Sequence, residues 1–163
     1  MNSGKILVSD QLGNHLLKFT GDVRVTLCGT LNRYIESIFG SKNVKRVVVD
    51  MLEAEGLDST TLGLLAKLGL HCRQQYGLNI EVFCQNSSIL RTLESMSFDE
   101  IFDIFDQLPD FDSNTDFHEI GAQDLPVDEL RQQVLEAHKI LVRLSDDNHQ
   151  EFQDLIKALE SGD

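Results

Sequence analysis

Hydrophobic and polar positions change period several times along this chain, and each change marks an element. Lys5 to Ser9 is a short apolar run, and His15 to Val23 is a second extended segment, interrupted by Gly21-Asp22. Leu27, Leu31, Ile35 and Ile38 then recur at intervals of four, four and three, the spacing of one helical face, and Gly40 is placed to end that helix. Val44 to Met51, "VKRVVVDM", is β-branched and nearly continuous in its second half, which predicts a strand buried on both faces and ending at Met51. A helix comes next, from about Thr60 to Tyr76, with Leu62, Leu65, Ala66, Gly69 and Cys72 as its packing stripe and Gly77 as its stop. Leu78 to Gln85 reads as the next strand. Ser87 or Ser88 can cap a helix carrying Ile89, Leu93 and Met96, and Ile101 to Asp106 alternates as a short edge strand does.

Strands that alternate with helices of ten or more residues predict an α/β fold. The sheet is expected to be mostly parallel or mixed, with helices packed against it through right-handed crossovers. Residues 1–106 form the expected domain. From 107 to 125 the chain is acidic and turn-rich and reads as a linker, and 126–163 reads as a helical extension. In that extension Val127, Leu130, Val134, Ala137, Leu141 and Leu144 alternate at intervals of three and four, a stripe too short to argue firmly for a coiled coil. Pro126, Asp128 and Glu129 suit the start of this helix, and Phe152, Leu155, Ile156 and Leu159 mark a second, shorter one. The pair either docks on its own domain or offers its stripe to a second protein, and the pattern alone leaves both open.

Charge sharpens the division. The net charge is −13, with 13 acidic and 10 basic side chains in residues 1–106 but 14 acidic and 4 basic in 107–163. Such a balance argues against nucleic acid or an anionic membrane as a partner. Cys28, Cys72 and Cys84 are odd in number and lie inside apolar patterns, as reduced core thiols do. The polar start "MNSGKILVSD" does not resemble a signal peptide, so a cytoplasmic location is expected.

Candidate chemistry is sparse. The five histidines, His15, His71, His118, His138 and His149, have neither i,i+4 pairing nor a Cys-x-x-Cys companion, so no metal site is expected. Asp110 to Asp116 superficially resembles a calcium loop, yet Thr115 stands at its glycine position and Gly121 at its terminal glutamate position. No nucleophile elbow, phosphate-binding loop or dinucleotide fingerprint is present, so no catalysis and no cofactor are expected.

One turn remains: Asp58-Ser59-Thr60-Thr61-Leu62-Gly63, three hydroxyls in a row behind a carboxylate at a strand-to-helix junction. The modest reading is a helix cap by Asp58 or Ser59, worth about 1 kcal/mol. The functional reading places Ser59 at the positive end of a helix, where another enzyme can reach it or where a nucleotide or small anion can bind.

The span from about Lys5 to Asp106 resembles a STAS domain, the family that includes the bacterial anti-sigma factor antagonists. "VVVDM" followed by "GLDSTTLGLLAKL" is similar to the family's strand, turn and Asp-Ser-Ser-Gly-Leu-Gly helix start, and "LLKFTGDV" is similar to its second strand. The resemblance implies phosphorylation at Ser59 and partner contacts at Asp58, Ser59, Thr60, Thr61, Leu62 and Gly63. It also implies a serine-kinase-type anti-sigma factor as partner, released sigma factor as output, and a metal-dependent serine phosphatase as the resetting enzyme. ATP and magnesium would belong to the kinase. Thr61 departs from the pattern by standing where the family often has glycine. The acidic extension departs too, and is similar to that of longer, two-part antagonists in secretion, motility and biofilm control.

Overall fold

The computed structural model describes residues 3–107 and 115–162. Its first strands, β1 (Lys5–Gln11) and β2 (Asn14–Val23), form a hairpin, and α1 (Cys28–Phe39) is the first long helix. Next come β3 (Arg46–Leu57), α2 (Ser59–Tyr76), β4 (Ile80–Phe83), α3 (Ser87–Ser95) and β5 (Phe102–Phe105). The chain ends with β6 (His118–Ile120), α4 (Val127–Leu144) and α5 (Asp146–Glu160). The strands make one mixed sheet in the order β5-β4-β3-β2-β1-β6. β2 to β5 run parallel to one another, and β1 is antiparallel to both of its neighbours.

This is the α/β architecture the periodicity predicts, and the alternation along each strand explains how its layers form. Val47, Val49 and Met51 turn towards the helices and join Ile6, Leu17 and Phe19 in the main core. Leu16, Val48 and Phe83 point to the opposite face, where Phe105 and Phe117 pack over them. Both faces of β3 are therefore covered, as its continuous apolar run implies. The main core takes residues from every long helix, including Ile140 and Leu141 of α4 and Phe152 of α5. The C-terminal helices dock on their own domain.

The structure departs from the sequence expectation at the cap of α3, which is Asn86 rather than Ser87 or Ser88, and at two strands. β3 does not end at Met51 but runs on to Leu57, paired with the end of β2 through Thr20–Glu53, Gly21–Ala54, Asp22–Gly56 and Val23–Leu57. Register shifts at Lys18/Thr20 and Gly21/Asp22 bend this ribbon and keep the pairing going past the polar residues Glu53 and Glu55. Second, the acidic 107–125 segment contains β6, whose Ile120, Glu119 and His118 pair with Ile6, Leu7 and Val8. Of the segment that resembles a calcium loop, Asp110 to Asn114 lie outside the described residues. Among the described residues no helix is long and apolar enough to cross a membrane, and no group of three His, Cys, Asp or Glu side chains converges as metal ligands would.

Candidate functional site at the start of α2

The extra length of β3 carries the hydroxyl turn beyond the main body of the parallel strands, and the N–H of Asp58 still reaches the Val23 carbonyl at 3.3 Å. Asp58 then leaves the strand with extended backbone and caps α2. Its Oδ1 accepts from the Thr61 N–H at 2.9 Å and from the Thr61 hydroxyl at 2.8 Å, while its own carbonyl accepts from Leu62 N–H at 3.1 Å. The cap is Asp58, one of the two candidates the sequence offered. Thr61 sits in right-handed helix with its hydroxyl consumed by that cap, so the turn needs no glycine there.

Burial separates the three hydroxyls. Thr60 and Thr61 are 5% and 1% exposed, whereas Ser59 is only half-buried and its hydroxyl points away from the sheet. The Ser59 Oγ lies 2.7 Å from Nε2 of His138, a residue of α4 that is 1% exposed. The other ring nitrogen, Nδ1, donates to the Val134 carbonyl at 2.7 Å, so in the neutral ring Nε2 accepts from the Ser59 hydroxyl. His138 is the site residue that sequence reasoning missed. Its only local signal is its place beside Ala137 at the edge of the stripe in α4, and its partner lies 79 residues away.

Around this contact α2 is buried on nearly all sides, which is why Leu62, Gly63, Leu64, Leu65 and Ala66 are all enclosed. The sheet covers one face and α4 the other. Gly63 permits a close approach, because a Cβ built there would collide with the Ala137 carbonyl oxygen. One turn further on, Lys67 Nζ meets Glu136 Oε1 at 2.9 Å, Asn32 Oδ1 at 3.0 Å and Glu36 Oε1 at 3.5 Å. Behind the turn, burial raises the Cys28 thiol pKa, and the Asp58 charge raises it further. Burial lifts the Cys72 thiol to about 11, so neither thiol is a nucleophile near neutral pH.

A serine hydroxyl on an imidazole nitrogen is also the start of a hydrolase site, but the surroundings do not continue it. The base is oriented by a carbonyl of its own helix, and the cleft at this end of the sheet, about 170 Å³, is lined by Leu57, Leu62, Ser88 and Ile89 among others. Neither Ser59 nor His138 lines it. An anion at the helix terminus is disfavoured as well: Asp58 already holds the Thr61 N–H, and its carboxylate would face the bound charge.

Geometry and topology together define an α/β domain built on a mixed sheet, with a capped, hydroxyl-bearing helix start at the end of a long parallel strand. The chain belongs to the STAS domain family, whose model matches residues 6–111. Among solved structures, it is similar to the crystal structure of an anti-sigma factor antagonist from Mycobacterium paratuberculosis. That similarity has a TM-score of 0.55 at 21% identity, over 65% of this chain and 88% of the other, and it reports on fold alone. No curated protein sequence matches.

Proposed function

We propose that this protein is a phosphorylation-controlled anti-sigma factor antagonist whose switch residue is Ser59. Unphosphorylated, it binds a serine-kinase-type anti-sigma factor and so frees a sigma factor. A phosphate on Ser59 ends that binding, and a metal-dependent serine phosphatase restores it. The observation that carries this reading is the sorting of the hydroxyls: Thr60 and Thr61 are buried, while Ser59 is half-buried at the helix start with its oxygen directed away from the sheet, towards α4. Membership of the STAS family supports the same reading. A phosphate adds about −1.5 to −2 charges beside Asp58. In an interface with no cation to meet it, desolvating that charge costs well above the ~1.4 kcal/mol that weakens a complex tenfold.

The test uses tagged full-length protein expressed in its source cell. Ser59→Ala should capture a protein with a serine-kinase fold at least as well as wild type, and Ser59→Glu should capture it at least tenfold less. Incubation of wild type with that captured kinase and ATP should add one phosphate, located at Ser59 by fragmentation mass spectrometry. Phosphate found only on Thr60 or Thr61, or equal capture by both variants, would refute the reading.

A further inference from the structure

The surface around Ser59 is already occupied by the far end of the same chain. Ser59, Gly63 and Lys67 are spaced four apart and lie along one face of α2. That face meets α4 at each turn: His138 against Ser59, the Ala137 backbone against Gly63, and Glu136 against Lys67. α4 is held from behind by α5, where the Phe152 ring packs edge-on to His138 at 5.1 Å. The turn between the two helices is tied to the end of α3 by Asn148, whose Nδ2 donates to Leu141 O at 2.9 Å and Met96 O at 3.0 Å.

We propose that α4 is an internal ligand of this face, a displaceable helix that competes for it with an outside partner helix of the same chemistry. Such a partner presents a small residue to Gly63, a hydrogen-bond acceptor to Ser59 and a carboxylate to Lys67. The proposal rests on Ser59 being the phosphoacceptor, and it adds a consequence: a phosphate on Ser59 and a docked α4 exclude each other. Oxygen and nitrogen 2.7 Å apart are already in hydrogen-bond contact and leave no room for an intervening group. Because α2 and α4 are in contact at Gly63 and Ala137, α4 cannot tilt inward to make room and can only move away.

Hydrogen–deuterium exchange on the full chain, with no kinase or anti-sigma factor present, tests this. In Ser59→Glu, amides of α4 and α5 should exchange at least tenfold faster than in wild type, while those of β2, β3 and β4 stay unchanged. Gly63→Ala should do the same, because its methyl group meets the Ala137 carbonyl whereas alanine suits α2 itself. Ser59→Ala, which only deletes a hydrogen bond, should accelerate α4 by less than either. The proposal falls if α4 stays protected in Ser59→Glu and Gly63→Ala, or if β2, β3 and β4 lose protection together with the helices. Protection that increases in Ser59→Glu would mean that His138 cradles the charge, and would overturn it too. Phosphorylation at Ser59 by the captured kinase with α4 still protected would refute this proposal and leave the switch intact.

Discussion

Asp58 does two things at once, and both rest on one carboxylate oxygen. Its carboxylate satisfies the Thr61 N–H and the Thr61 hydroxyl, on a residue only 1% exposed and so out of reach of bulk solvent. Asp58→Ala should therefore destabilise the fold by about 2 kcal/mol, at the upper end for a lost cap, seen as a lower urea midpoint with an unchanged slope. Asp58→Asn keeps an acceptor in place and should lose less than half as much. The cap itself was readable from "LDSTT", because a carboxylate three residues before a helical N–H is a local signal. The role of His138 was not readable in this way. Hydrogen bonds between residues 79 apart leave no trace in spacing, and a histidine beside a small residue on a helix has many ordinary places to be.

Elements were legible where period and length agreed and illegible where polar residues broke the run. The helix starting at Ser59 and the strand "VVVDM" announce themselves, since one repeats on a helical face and the other is rich in β-branched residues. The second half of β3 does not, because Glu53 and Glu55 read as a turn until β2 is seen beside them. β6 is a three-residue strand with two polar members, and only its pairing to β1 defines it. Likewise the cap of α3 is Asn86, which accepts from Ser88 and Ile89 N–H, rather than either serine after it. At the C-terminal end the decisive element contact is the Asn148 side chain, 3% exposed, which bridges Leu141 and Met96 carbonyls. Removing it takes the donor from the buried Leu141 carbonyl and the part-buried Met96 carbonyl, so Asn148→Ala should cost about 2 kcal/mol in chemical denaturation. Asn148→Asp should cost more, because it replaces a donor with an acceptor facing two acceptors.

For the molecule as a whole, two imidazoles, the buried His15 and the half-buried His71, contribute to the response to acid. Burial lowers the pKa of His15, with nearby Asp10 offsetting part of the effect, and burial lowers that of His71. His15 faces the Tyr34 hydroxyl of α1 at 3.3 Å and keeps Nε2 without a hydrogen-bond partner; His71 is stacked on Phe39 at 3.8 Å. As the pH falls through 6.5, the ordinary histidine value, the unfolded chain binds protons that the folded protein resists. Stability therefore declines from about neutrality downward and levels off once the lowered folded-state values are passed. Asp50 acts in the opposite sense at more acid pH, because burial raises its carboxyl above 3.8 and the folded state keeps that proton longer. Urea midpoints should drop between about pH 7.5 and 5.5, and the double variant His15→Gln, His71→Gln should flatten that slope whatever its absolute stability.

The short strand β6 fixes α4 at close range. Through Ile6, Leu7 and Val8 it is part of the sheet, and only Gly121 to Pro126 separate it from the first turn of α4. The Thr30 hydroxyl donates to the Gly121 carbonyl at 2.6 Å, and Leu125 lies against Gly29, so even this stretch is held on α1. A helix lifted from α2 on so short a tether remains at an effective concentration on the order of millimolar. An outside helix present at micromolar concentration must bind roughly a thousandfold more tightly than α4 to hold the face half the time. Tethering thus sets a threshold: a weak or scarce competitor seldom takes the face, and lengthening the Gly121–Pro126 segment would lower the bar without altering the contacts between α2 and α4.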